Sequence, residues 1–519
     1  MGIVKAASTV GIFTLLSRFA GYVREVFMAC WLGAGVCTDA FLIALRLANT
    51  FRRIFAEGAF SVSFVPRFSK ILAQEGHESA NKTLSGIFTL MLIILSIFTA
   101  IVIIFFPQVL SILVSGFDSL SYKFGLSVSL GRICFIYLIF ISLTSLWGGV
   151  LNALNKFALT AAVYSLLSIF VIIGLFVGHL INLSAESMVY LISFCVVMSG
   201  IFQSYILYSS VKKQGFCINL RFDFDSRPIR DIMKNMVPGI FAAGIWQLNL
   251  IVDMSICSYL PTGSITCINL ADRLNQFPLG TLGIALSTAL LPILSGLIAK
   301  KKYESARNEL QRGLLFGFFL TFFATSVLVA LDVPSVSVAF QRGAFGEEQV
   351  QITARALVGF AIGLPAYVLT KFFSTVYFAS GDIKTPVKFG IIAVALNVIF
   401  LVLLVPFWKY FGLALCTSIS SLSNATLLIY FLKKELRLKL SREFFCKIGS
   451  QFCAAIVTYN VLVWLKEIFW IGDIGEEKVK WFVYFAFLGV AILVFFLTTV
   501  AGLCFTKQSQ WKLWKREAW

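Results

Sequence analysis

The 519-residue chain has few of the groups on which metal binding and catalysis usually rest. Its two histidines, His77 and His179, lie far apart, and its 11 cysteines contain no C-x-x-C pair, so neither a metal centre nor a disulfide framework is expected. It shows no glycine-rich nucleotide loop, no nucleophile triad and no catalytic carboxylate pair, which argues against an enzyme and against an ATP-driven motor. Charge is scarce too. Only 13% of the residues are charged against 59% hydrophobic, and no stretch between the apolar segments is long enough for a soluble domain. The chain reads as a polytopic membrane protein.

What charge there is has an uneven sign, +18 net. In a soluble protein that excess would point to nucleic acid, but 53 phenylalanines dominate the aromatics and suit lipid-facing helices better than base stacking, so no nucleic acid is expected. Apolar segments of spanning length fall near 6–30, 37–60, 84–106, 130–152, 158–179, 187–210, 235–258, 267–296, 313–331, 352–378, 388–406, 411–432, 448–466 and 481–504. The expectation is an all-α polytopic protein of about 14 transmembrane helices. The first segment has no convincing small-residue cleavage site and is read as a retained membrane helix. Of the 43 lysines and arginines, 28 lie in one set of alternate loops, 6 in the opposite set and 9 within spans. The positive-inside rule then puts both termini in the cytoplasm.

An internal repeat organises these spans. Ala59–Ser69 (AFSVSFVPRFS) matches Ala285–Ser295 (ALSTALLPILS) at an offset of 226 residues, each copy ending a span. Six spans separate the copies, so they share one topology. This predicts two pseudo-symmetric six-helix lobes, residues 1–215 and 230–435, with a cavity between them and two additional C-terminal helices over 445–506.

Charges inside spans mark that cavity, because a charge near the bilayer centre costs about 2.5–3.5 kcal/mol on insertion scales and lipid cannot surround several of them. In span 2, Asp39, Arg46, Asn49, Arg53 and Glu57 fall within about one quadrant of a helix, with Arg52 beside it. Asp39 with Arg46, and Arg53 with Glu57, have the spacing of a structural network. Arg52 has no partner of that kind, and its planar fork matches phosphate oxygens. Span 1 adds Arg18 and Arg24 around Gly21, and span 8 adds Asp272 and Arg273. Arg18, Arg24, Arg52 and Arg273 together suit a polyanionic head group. Asn249 and Asp253, one turn apart in span 7, with Asn397 in span 11, form a candidate cation site of oxygen ligands.

The stretches SRFAGYVRE (17–25), LGAGVCTDAF (32–41), RRIFAEGAFSVSFVP (52–66), ADRLNQFPLG (271–280), ALSTALLP (285–292) and DIKTPVK (382–388) resemble the MurJ/MviN family, lipid II flippases of the multidrug/oligosaccharidyl-lipid/polysaccharide exporter superfamily. The resemblance implies a protein of the bacterial cytoplasmic membrane that moves the undecaprenyl-pyrophosphate-linked peptidoglycan precursor to the outer leaflet. It implies that Arg18, Arg24, Asp39, Arg52 and Arg273 belong to the central cavity and that the last two helices form a groove for the polyprenyl tail. Where the family commonly has proline before Asn49, this chain has Ala48. The sodium site of some members maps onto Asn249, Asp253 and Asn397. No cofactor is expected beyond coupling to Na+ or H+. The expected partners are lipid II, membrane lipids and wall-synthesis proteins, with a monomer as the working unit. The rival readings are a polysaccharide-lipid flippase, a drug/cation antiporter, which would want acids rather than arginines in its cavity, and a non-transporting scaffold of wall synthesis.

Overall fold

Away from water a backbone must satisfy its own hydrogen bonds, so long apolar runs become helices. The computed structural model describes residues 3–54, 59–118, 120–222, 227–280, 284–300, 302–380, 382, 384–436, 442–470 and 477–517. These residues form helices and no strand. Eight helical segments are long and apolar enough to cross a membrane, or nine with the bent pair 347–379 counted as one span. The chain is a multi-pass membrane protein, and the described residues of the fourteen apolar segments lie almost wholly in helices. It divides into two compact units, Met1–Thr266 with Arg342–Phe345, and Cys267–Gln341 with Gly346–Trp519.

In the first unit α1 (Ile3–Leu32) is followed by α2 (Val36–Arg52), α3 (Ala59–Gln74), α4 (Gly76–Ile104), α5 (Phe106–Leu113), α6 (Tyr122–Ala153), α7 (Phe157–Val163), α8 (Leu166–Leu180), α9 (Ala185–Lys212) and α10 (Arg227–Cys257). Helix α6 is its axis and packs against α2, α3, α4 and α9. The core joins Phe64 and Phe68 of α3, Leu84 and Ile87 of α4, Leu146, Trp147 and Val150 of α6 and Leu207 of α9. Gly149 makes this closeness feasible: a Cβ there would come within 2.9 Å of the Phe64 ring. Outward, Ile94, Ile97, Ile101 and Ile104 of α4 form an exposed apolar stripe at helical spacing, the face expected against lipid tails.

The second unit contains α11 (Ser264–Pro278) from Cys267 onward, α12 (Ile284–Ala299), α13 (Tyr303–Ala330), α14 (Asp332–Phe340), α15 (Glu347–Ile362), α16 (Leu364–Ala379), α17 (Lys384–Leu436), α18 (Arg442–Phe469) and α19 (Glu477–Glu517). At 1.5 Å per residue, 53-residue α17 would be about 80 Å long, far more than the ~30 Å hydrocarbon core, so it holds two spans. The break is at Lys409, with φ 43°, followed by Gly412, where a Cβ would meet the Leu404 carbonyl oxygen at 2.9 Å. The two last helices pack on α13 and α14: Leu462, Phe487 and Ala491 join Val327, Ala330 and Leu331 in one core, and Lys466 pairs with Asp332 at 2.6 Å.

The repeat seen in the sequence occupies like elements in each unit. Helices α2 and α3, of 17 and 16 residues, and α11 and α12, of 15 and 16, are each too short to span alone, and Pro66 and Pro292 lie inside α3 and α12. Each copy of the repeat thus places a proline-containing helix after a helix of similar length. Without the family's proline, α2 runs unbroken from Val36 to Arg52.

Candidate functional site

The charged residues of the first unit fall into two groups. Asp39, in the first turn of α2, is fully buried. Its Oδ2 accepts hydrogen bonds from Lys123 Nζ at 2.7 Å and the Gly263 backbone N–H at 2.8 Å. Its Oδ1 accepts from the Thr266 backbone N–H at 2.9 Å and the Thr266 hydroxyl at 2.7 Å. Lys123 comes from the opening turn of α6 and sits over the Phe117 ring, 4.5 Å from its centroid. A carboxylate with four donors, one of them charged, is neutralised where it stands. The sequence placed Lys123 among the six sparse basic residues of the opposite loops; the structure makes it the counter-ion of span 2.

The same end of the unit is held by backbone packed too closely for side chains. Gly33 and Gly263 have positive φ, and a Cβ on them would meet the carbonyl oxygens of Ala344 and Ala34 at 2.6 and 2.7 Å. The Ala344 N–H donates to the Cys30 carbonyl at 2.8 Å. Residues remote in sequence, 261–266 and 342–345, are thereby tied to the α1–α2 turn.

Further along α1, Arg24 is 7% exposed and its Nη2 donates to Glu25 Oε1 at 2.6 Å, while its Nε, also buried, has no hydrogen-bond partner among the described residues. Arg52 donates from Nε to Asn49 Oδ1 at 3.1 Å, one turn back along α2. Arg46 is half-buried and Arg53 exposed on the same helix, and Glu57 lies outside the described residues.

Arg18 is of the other kind. It lies exposed on α1 and makes no hydrogen bond or ion pair among the described residues. It borders a crevice of about 380 Å³ between α1, α6 and α7, together with Ser17, Ser145, Asn152, Thr160 and Tyr164. Gly148 and Gly149 of α6 also line it. None of its α6 and α7 residues was singled out from the sequence as a site residue. Asn152 stands at the end of α6, in LNALNKF.

In the second unit Asp272 accepts from Gln276 Nε2 at 2.5 Å, one turn on, and the adjacent Arg273 is half-buried on α11. Asn397 on α17 is fully buried. Asn249 and Asp253 stand in the first unit, where Asn249 Nδ2 donates to Asp253 Oδ2 at 3.3 Å. Among the described residues no group of three or more His, Cys, Asp or Glu side chains is arranged to hold a metal ion.

The profile of the family described as "Lipid II flippase MurJ" matches residues 28–502. A Rickettsia prowazekii protein named as a probable lipid II flippase MurJ is 35% identical over 459 residues, covering 88% of each chain. The lipid II flippase MurJ of Burkholderia cenocepacia is 33% identical over 440 residues, covering 84% of each. A solved lipid II flippase MurJ in an inward closed conformation has the same fold, with a TM-score of 0.79 at 24% identity over 96% of this chain and 99% of that one. An inward-facing multidrug resistance MATE transporter of the MOP superfamily shares the fold more distantly, with a TM-score of 0.68 at 12% identity over 83% of this chain and 98% of that one. By the match across 28–502 and the identity to these relatives, the chain belongs to the lipid II flippase MurJ family.

Proposed function

We propose that this chain carries lipid II, the undecaprenyl-pyrophosphate-linked peptidoglycan precursor, from the cytoplasmic to the periplasmic leaflet of the bacterial cytoplasmic membrane by alternating access. The observation that carries the reading is Arg18, a guanidinium with no hydrogen bond or ion pair among the described residues, on a membrane helix and opening on a polar crevice. Such a group is a ready ligand for a phosphate oxygen, and its fixed fork favours bidentate contact. Arg24, bonded to Glu25, and Arg52, bonded to Asn49, are the second and third pyrophosphate ligands. Arg273 of the second unit is assigned the same task from its place in ADRLNQFPLG. The sequence lobes 1–215 and 230–435 rock against one another in this reading, and helices over 445–506 guide the polyprenyl tail. Both termini face the cytoplasm, and the monomer is the working unit, within reach of the wall-synthesis proteins.

A lipid-linked pyrophosphate carries about two negative charges. With a negative cytoplasm, moving them outward across the full field is favoured by about 4.6 kcal/mol per 100 mV, at ~2.3 kcal/mol per charge. The membrane potential therefore suffices for direction without a nucleotide. A cation, Na+ or H+, taken by Asn249, Asp253 and Asn397, would help the empty protein return. The test is lipid II translocation by the purified protein in proteoliposomes, with and without an imposed potential. Translocation that quickens when the side of entry is made negative is the expected result, and lipid II that stays on the side where it was placed would overturn the proposal. Repeating the assay without Na+ and at two proton gradients assigns the ion.

A further inference from the structure

The crevice beside Arg18 is larger and more varied than a diphosphate needs. Its 380 Å³ is the room of about a dozen waters at ~30 Å³ each, and lies within the ~300–1,000 Å³ of small-molecule sites. A phosphate group, with five heavy atoms, leaves most of it unfilled. The wall opposite Arg18 carries no formal charge.

That wall is built from fixed hydrogen-bonding groups. Thr160 Oγ1 stands 2.7 Å from the Phe157 carbonyl oxygen and 3.1 Å from Asn152 Oδ1. The single Thr160 hydroxyl proton is shared between these two acceptors and so tethers the Asn152 carboxamide oxygen, while the Asn152 amino group has no hydrogen-bond partner among the described residues. The Ser17 hydroxyl, next to Arg18, is uncommitted in the same sense. Tyr164 adds an aromatic side chain to the lining. An immobilised amide, a hydroxyl and an aromatic ring are the groups that read a sugar: they match its hydroxyl and acetamido oxygens and the apolar face of its ring.

We infer that the α1–α6–α7 crevice is a carbohydrate subsite, which takes the sugar ring attached to the diphosphate held by Arg18. Asn152, positioned by Thr160, is its specificity residue. The inference rests on the proposed function above and adds to it: the diphosphate is gripped by charge, and the sugar is told apart by a neutral, pre-oriented amide. A buried site shaped to hydrogen-bond a substrate group discriminates against ligands lacking it more strongly than charge alone does.

The experiment compares two lipids on the full-length protein in nanodiscs: lipid II, and undecaprenyl pyrophosphate without sugar. Asn152→Ala should weaken lipid II binding about three- to tenfold, the worth of one neutral hydrogen bond, and shift undecaprenyl pyrophosphate by less than about twofold. Because each variant is scored by its ratio of the two affinities to that of the wild type, the different charge of the two lipids cancels. Gly148→Ala supplies a second variant, one turn before Asn152 on α6. Its added methyl would stand 3.6 Å from Thr160 Cγ2, an ordinary contact, so the fold accepts it while the crevice narrows. It should show the same selective loss, to a smaller degree. Unchanged ratios in both variants, or equal losses for both lipids, would overturn the carbohydrate subsite and leave the flippase reading standing. A wild type that binds neither lipid would overturn the flippase reading, and the subsite with it.

Discussion

Asp39 and Arg18 are charged residues of neighbouring membrane helices in one unit, and they are used in opposite ways. Asp39 has spent all of its capacity on the protein: four donors reach its two oxygens, and no surface remains for a ligand. Arg18 has spent none and faces a crevice. A charge in a membrane helix is therefore not by itself a sign of substrate. What separates a structural ion from a binding one is whether its hydrogen-bonding capacity is already filled, and Arg24, whose Nη2 is bonded to Glu25 while its buried Nε has no hydrogen-bond partner among the described residues, stands between the two extremes.

The comparison breaks most visibly if Asp39 is disturbed. Lys123→Ala leaves a fully buried carboxylate without its counter-ion, at a cost of about 3–5 kcal/mol, so the thermal unfolding midpoint in detergent should fall sharply and transport with it. Lys123→Met combined with Asp39→Asn should regain much of that stability, since no unpaired charge is left. Loss of transport with unchanged melting in Lys123→Ala would instead make Asp39 a ligand group.

Arg18→Ala should behave in the reverse manner. Having no hydrogen bond or ion pair among the described residues, the side chain should be removable with little change in melting. Lipid II translocation should drop about 10- to 100-fold, in keeping with about 1.5–3 kcal/mol for a hydrogen bond to a charged group. Arg18→Lys should restore part of the rate, because it returns the charge without the bidentate fork. Full rescue by lysine would mean that only charge matters.

How much of this was legible beforehand follows from the range of the interactions. The helices, and the internal repeat that makes α2–α3 and α11–α12 like elements, were read from apolar length and a recurring proline, because both are local properties of the chain. Arg18 was readable for the same reason: an arginine inside an apolar run is visible without knowing its neighbours. Its surroundings were not. Lys123 lies 84 residues from Asp39, and Gly263 and Thr266 lie more than 220 residues away, so the i, i+4 and i, i+7 spacings within span 2 suggested nearer partners. The same limit hid Lys466, which pairs with Asp332 across 134 residues. Asn152 escaped because an asparagine near a helix end has an ordinary capping role, and only the fold brings it to the crevice beside Arg18.

Arg52 gives the smallest and most discriminating effect. Sequence spacing left it without a partner, whereas the structure has its Nε donating to Asn49 Oδ1 at 3.1 Å, within one turn of α2. A bond at Nε restricts the rotation of the side chain that carries the two terminal amino groups of the fork. If the bond merely occupies the guanidinium, Arg52→Ala should reduce translocation by less than Arg18→Ala, about three- to tenfold, and Asn49→Ala should be nearly silent. If it aims the guanidinium, Asn49→Ala should itself slow translocation severalfold, without altering melting, because an unfixed arginine loses rotamer entropy on binding that a fixed one has already lost. Rates for the two single variants and for the double Asn49→Ala/Arg52→Ala variant separate the cases. Additive losses mean that the residues act independently, and a double variant no slower than Arg52→Ala alone means that Asn49 works only through Arg52.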